Sequence, residues 1–78
     1  MTEEAKKIIN CVFEAKGRYG KTIIIDTVVG AKTARLEEIG ATGYKSYGVL
    51  ASSNKKLLRR LLEQMVMEGY LVVGDYQV

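Results

Sequence analysis

Apolar positions along the chain fall into groups with different periods. Ala5, Ile8, Ile9, Val12 and Phe13 repeat at i, i+3, i+4, i+7 and i+8, which lines one side of a helix. Thr2 precedes them as a cap, and Glu3 and Glu4 fill the first turn, where the helix dipole favours acids. Gly17 ends this helix, and Gly17-Arg18-Tyr19-Gly20 is a connector. The next group, Lys21 to Val29, supports two readings. Ile23-Ile24-Ile25 and Val28-Val29 are β-branched and suit a buried strand. Ile24, Ile25, Val28 and Val29 also repeat at i, i+1, i+4 and i+5, which suits a short buried helix. Gly30 closes the segment in either case.

Thr33 caps a short helix over Ala34 to Ile39, ended by Gly40. Residues 40–48 are rich in turn formers, with Tyr44 and Tyr47 set among glycines. Ser52-Ser53-Asn54 then caps the strongest helix, which runs to Glu68 and stops at Gly69. Leu57, Leu58, Leu61, Leu62, Met65 and Val66 form its apolar ridge. Lys55, Lys56, Arg59, Arg60 and Glu63 form the opposite face. Tyr70-Leu71-Val72-Val73 reads as a short strand and Gly74-Asp75 as a turn.

This order predicts a mostly α, α+β domain of winged-helix type: a helix-turn-helix with a short β-wing. The wing needs a returning strand, and a lone strand leaves its backbone groups unpaired. The expectation is therefore a single domain over residues 1–78, cut from a longer chain within a truncated wing. Self-association through the unpaired strand follows from the same argument.

Composition narrows the chemistry. The chain has 78 residues, no His, no Trp, no Pro and one Cys. A core of this size supplies about 3–5 kcal/mol. Without His, the Ser/His and Cys/His mechanisms are excluded. One thiol cannot build the usual Cys/His zinc site, and no acidic cluster forms a divalent-cation cage. Cys11 reads as a small core or flank residue rather than a nucleophile. No enzymatic activity and no metal are expected of this segment. No apolar run approaches membrane-spanning length, and Met1-Thr2-Glu3-Glu4 is not a secretory leader. A lone Cys suits a reducing compartment, so a cytoplasmic location is expected.

Charge is unevenly spread. The net charge is +3, and from Ile39 to Leu62 there is no acid, while Lys45, Lys55, Lys56, Arg59 and Arg60 lie within that stretch. A field of one sign suits a polyanion. It equally suits a solvated face whose counter-charges come from elsewhere in the fold. Lys55 and Lys56 sit in the first turn of the long helix, against its dipole; a docked phosphate would relieve this. Arg59, Arg60 and Met67 share its outer side and suit a partner contact. Tyr44 and Tyr47 suit base stacking or pinning of their loop. Gly17-Arg18-Tyr19-Gly20-Lys21-Thr22 imitates a phosphate loop, but only two residues separate its glycines and a helix precedes it.

Three blocks together resemble one family. They are Thr2-Glu-Glu-Ala-Lys-Lys-Ile-Ile-Asn-Cys-Val12, then Gly17-Arg-Tyr-Gly-Lys-Thr-Ile-Ile-Ile-Asp-Thr-Val-Val-Gly30, and Ser46-Tyr47-Gly48 followed by the long helix ending Glu68-Gly-Tyr-Leu71. The chain is similar to the RQC domain, the C-terminal winged-helix domain of RecQ-type DNA helicases. The resemblance implies that Lys21 to Val29 is a helix. It implies a parent that unwinds duplexes 3′ to 5′ using ATP and magnesium. The parent's motor lobes and zinc-binding subdomain would precede this segment, and its zinc cysteines would not include Cys11.

The resemblance also implies that duplex or forked DNA is the partner, in repair, recombination or replication, with nucleoid association. Phosphates would meet Ala31, Lys32, Thr33 and Arg35, and Lys45, Ser46 and Tyr47. Tyr76 would be a wing wedge against the terminal base pair. Lys55, Lys56, Arg59, Arg60 and Met67 would serve a protein partner. The chain departs from the family pattern at Val29-Gly30-Ala31, which lacks an Arg and a hydroxyl, and at Tyr47-Gly-Val-Leu-Ala51, which lacks a Gly-Lys pair. Weak DNA binding is the expected consequence. Two other function classes stay open: a winged-helix transcription regulator reading the major groove with the long helix, and a protein-interaction module.

Overall fold

The computed structural model describes residues 2–71. Helix α1 spans Glu3–Glu14, α2 spans Lys21–Val29, α3 spans Ala34–Glu38 and α4 spans Lys55–Met67, with a 3-10 turn at Ala41–Gly43. No strand forms among the described residues. The caps are those the sequence predicts. Thr2 accepts from the Ala5 N–H, Thr33 from Leu36, and Asn54 from Lys56 and Leu57. Each satisfies backbone donors that a helix start leaves without partners.

The ambiguous second segment is a helix. Its β-branched residues gain from helical phase because the turn carries Ile24, Ile25 and Val28 to one side, where all three are buried. A helix also satisfies its own backbone, whereas a strand here would have no strand to pair with among the described residues. The Thr27 side chain is buried too, and its hydroxyl donates to the Ile23 carbonyl at 2.7 Å.

The core is built by α1, α2 and α4. Ala5, Ile8, Cys11, Val12 and Ala15 meet Ile24, Ile25 and Val28, with Leu58, Leu62 and Met65 closing the third side. Two parts of the expected pattern are corrected. Phe13 is 70% exposed, whereas Cys11 and Ala15 are fully buried. Contact with α2 rotates the α1 stripe toward these small residues, and Cys11 Sγ reaches the Ile24 carbonyl at 4.0 Å. On α4, Leu57 is exposed, and the buried line is Leu58, Leu62 and Met65.

After α4, Gly69 takes φ +83 and turns the chain so that Leu71 is buried. Tyr70 and Leu71 do not form a strand. Val72, Val73, Gly74, Asp75 and Tyr76, on which the expected wing, strand-mediated self-association and wedge rest, lie outside the described residues.

Candidate functional site

The loop after the 3-10 turn is held at two ends. At one end, Glu14 in the last turn of α1 reaches across to residues distant in sequence. Its Oε2 accepts the Lys45 N–H at 2.8 Å and its Oε1 accepts the Ser46 N–H at 3.0 Å. Burial alone would raise the Glu14 pKa, but these N–H groups, the Ser46 side chain and the Lys45 charge outweigh it. The carboxyl is held below its ordinary value.

At the other end, the loop caps α2. A helix leaves its last carbonyls without partners. Here the Thr27 carbonyl accepts from Gly48 N–H at 2.8 Å and the Val28 carbonyl from Leu50 N–H at 2.7 Å. The Asp26 carbonyl accepts from Ala31 N–H at 2.9 Å. The Tyr47 hydroxyl lies 3.1 Å from the Gly30 carbonyl and 2.8 Å from that of Ala31. Its single proton is shared between them. Residues 30–31, which lead into α3, and residues 44–50 are thereby one structural unit.

Of the seven residues expected at phosphates, Ala31 is tied to Tyr47 through its carbonyl, and the other six separate into two kinds. Lys32, Arg35 and Lys45 are exposed and form no ion pair among the described residues. Thr33 Oγ1 is occupied as the α3 cap, Ser46 is only 6% exposed, and Tyr47 points its hydroxyl at backbone carbonyls. The last three shape the surface, and the first three supply its charge. Glu37 and Glu38 are also exposed, on α3.

The α4 face is different. Lys55 pairs with Asp26, whose carboxylate is mostly buried. Arg59 lies 3.7 Å from Glu63 and donates to Thr22 Oγ1 at 3.2 Å, and Glu63 also faces Lys21 at 3.8 Å. The acid-free run therefore does receive counter-charge, from elsewhere in the fold at Lys55 and from the next turn of the same helix at Arg59. The dipole conflict at Lys55 is met by the Asp26 carboxylate. Lys56 and Arg60 are exposed without ion pairs among the described residues, and Met67 is 86% exposed.

Tyr44 is half-buried against the core, and burial followed by the neighbouring Tyr19 raises its pKa. Both loop tyrosines thus pin their loop. Burial, aided by the Glu14 charge, pushes the Cys11 thiol up to about 12. No cluster of three metal-ligating side chains occurs among the described residues.

Sequence reasoning missed Glu14. One signal was present: an acid in the last turn of a helix opposes the dipole, which marks it for another partner.

These features define a small helical domain that presents unpaired cations on a loop locked to the end of a helix. The RQC domain family model matches residues 1–77, and the chain belongs to that family. It is 24% identical over 75 residues to the ATP-dependent DNA helicase RecQ of Bacillus subtilis (strain 168), a match covering 96% of this chain. The chain spans 13% of that relative's length. The search of solved structures returns no match. No helix among the described residues is long and apolar enough to cross a membrane.

Proposed function

We propose that this chain is the duplex-gripping accessory domain of a RecQ-type 3′–5′ DNA helicase, acting beside the unwinding junction in repair, recombination or replication. ATP hydrolysis, magnesium and zinc belong in this reading to motor and zinc-binding domains of the parent, and this segment contributes grip. The observation that carries the reading is the sorting of charge. Lys32, Arg35 and Lys45 are unpaired on a surface joined through Tyr47. On α4, in contrast, Lys55 and Arg59 are held by Asp26, Thr22 and Glu63. Free cations lose little by meeting phosphates, whereas paired ones must first break a contact.

The mechanism is backbone neutralisation. Lys32, Arg35 and Lys45 meet phosphate oxygens and release counterions, with little base readout. Thr33 holds the start of α3. Ser46 and Tyr47 set where Lys45 projects relative to Lys32. Lys56, Arg60 and Met67 remain available to a protein partner, including other domains of the parent. A fork duplex labelled for anisotropy tests the proposal. Binding is expected to be sub-millimolar, with log K falling against log salt by about 0.9 per phosphate contact, a slope of about −3 for these three cations. K32E with R35E should abolish it. Amide shifts at residues 31–35 and 44–48 support this reading. Shifts along 55–67 with sequence discrimination would instead indicate a major-groove reader, and no shifts would indicate a protein-interaction module.

A further inference from the structure

The contacts that lock the loop lead beyond it, onto α1. Lys7, Asn10 and Glu14 are spaced i, i+3 and i+7, so they share one face of that helix. With Lys45, Ser46 and Val49 they line an open depression of about 440 Å³. Lys7 is half-buried on this wall and, like Lys45, forms no ion pair among the described residues. The lining contains one acid, Glu14. Both its oxygens accept backbone N–H groups and so face the wall, and the Lys45 charge acts on it as well.

A band of residues can be followed through chain neighbours and hydrogen bonds. Lys32 follows Ala31, Ala31 holds Tyr47, Tyr47 follows Ser46, and Ser46 and Lys45 are held by Glu14 on the α1 face that carries Lys7 and Asn10. Positive charge stands at both ends of this band, with Lys45 beside the Glu14 carboxylate on which its charge acts. We propose that the depression between α1 and the 45–49 loop is a further phosphodiester-binding site, with Lys7 and Lys45 as its cations and Asn10 as a neutral donor. It extends the DNA footprint from α3 and the loop onto α1. The Lys7 ammonium on its four-carbon stem reaches a phosphate as a point charge, and the Asn10 amide donates to a second oxygen.

This inference rests on the duplex-binding reading, and the test keeps the two apart. The salt dependence of duplex affinity is compared for the 78-residue chain, K7Q and K32Q with R35Q. Removing one phosphate contact should shrink the slope by about 0.9. K7Q is therefore expected to weaken binding and flatten the slope by about that amount, with an unchanged thermal midpoint. An unchanged K7Q slope beside a flattened K32Q/R35Q slope overturns the α1 site and leaves the grip intact. Unchanged slopes in both variants overturn the grip itself. As a check independent of any variant, adding duplex to the wild-type chain should shift the Lys7 and Asn10 amides and the Asn10 side-chain amide. Shifts restricted to residues 31–35 and 44–48 overturn the extension.

Discussion

A Cβ built on Gly30 would lie 3.1 Å from the Cα of Gly48. Both glycines take φ +76. One ends α2 and the other lies in the loop that caps it, so their backbones touch where two functional segments meet. Gly30→Ala combines left-handed strain with a backbone clash and should cost about 2–4 kcal/mol. Gly48→Ala meets its nearest neighbour at 3.9 Å and should cost only the strain, about 1–2 kcal/mol. Thermal melts should therefore rank wild type, G48A, then G30A, with about 4–8 °C lost per kcal/mol. Equal losses would remove the close approach as the cause.

Glu14 should make the domain acid-sensitive. Its folded pKa lies below the ordinary 4.5, so its contribution is fully present above that range. That contribution is lost as pH falls through the lowered folded value, because the unfolded chain binds the proton first. E14Q should be less stable than wild type by about 1–3 kcal/mol at neutral pH. The gap should narrow as pH drops below the ordinary carboxyl range. A pH-independent gap in paired melts would show that the carboxylate charge is not what holds the loop.

Tyr47→Phe removes the hydroxyl from the Gly30 and Ala31 carbonyls while keeping the ring. A loss of about 0.5–1.5 kcal/mol is expected. Hydrogen exchange should speed up at residues 31–36, because the entry to α3 loses its tether. Protection there equal to wild type would count against the tether.

Cys11 should be inert in the folded chain. With its pKa near 12 and no exposed surface, almost no thiolate exists at neutral pH. Labelling by iodoacetamide should proceed only through unfolding, so its rate should rise with denaturant along with the unfolded fraction. Fast labelling of native protein would contradict the burial.

Much of this arrangement is legible from local chemistry. Thr2, Thr33 and Asn54 cap helices because short polar side chains fit the first turn's free N–H groups, and that match is local in sequence. The Ile24, Ile25 and Val28 spacing is legible as one phase of a helix, but propensity pulls toward strand. Packing decides it, because helical phase puts all three in the core between α1 and α4, and packing is a tertiary fact. Phe13 is misread for the same reason. Periodicity names a stripe of about 100°, and only the position of α2 shows that Cys11 and Ala15, not Phe13, face inward.

The candidate site divides along the same line. By itself, the sequence determined three of the four helices, the caps, the lack of histidine, the acid-free run and the family likeness. Each of these is carried by composition or short-range spacing. Tertiary structure alone decided which cations are free. Asp26 neutralises Lys55 from 29 positions earlier in the chain, and Glu14 binds the loop at Lys45 and Ser46 from 31 and 32 positions away. Electrostatic and hydrogen-bond partners are set by distance in space. At these separations along the chain, no spacing rule reports it.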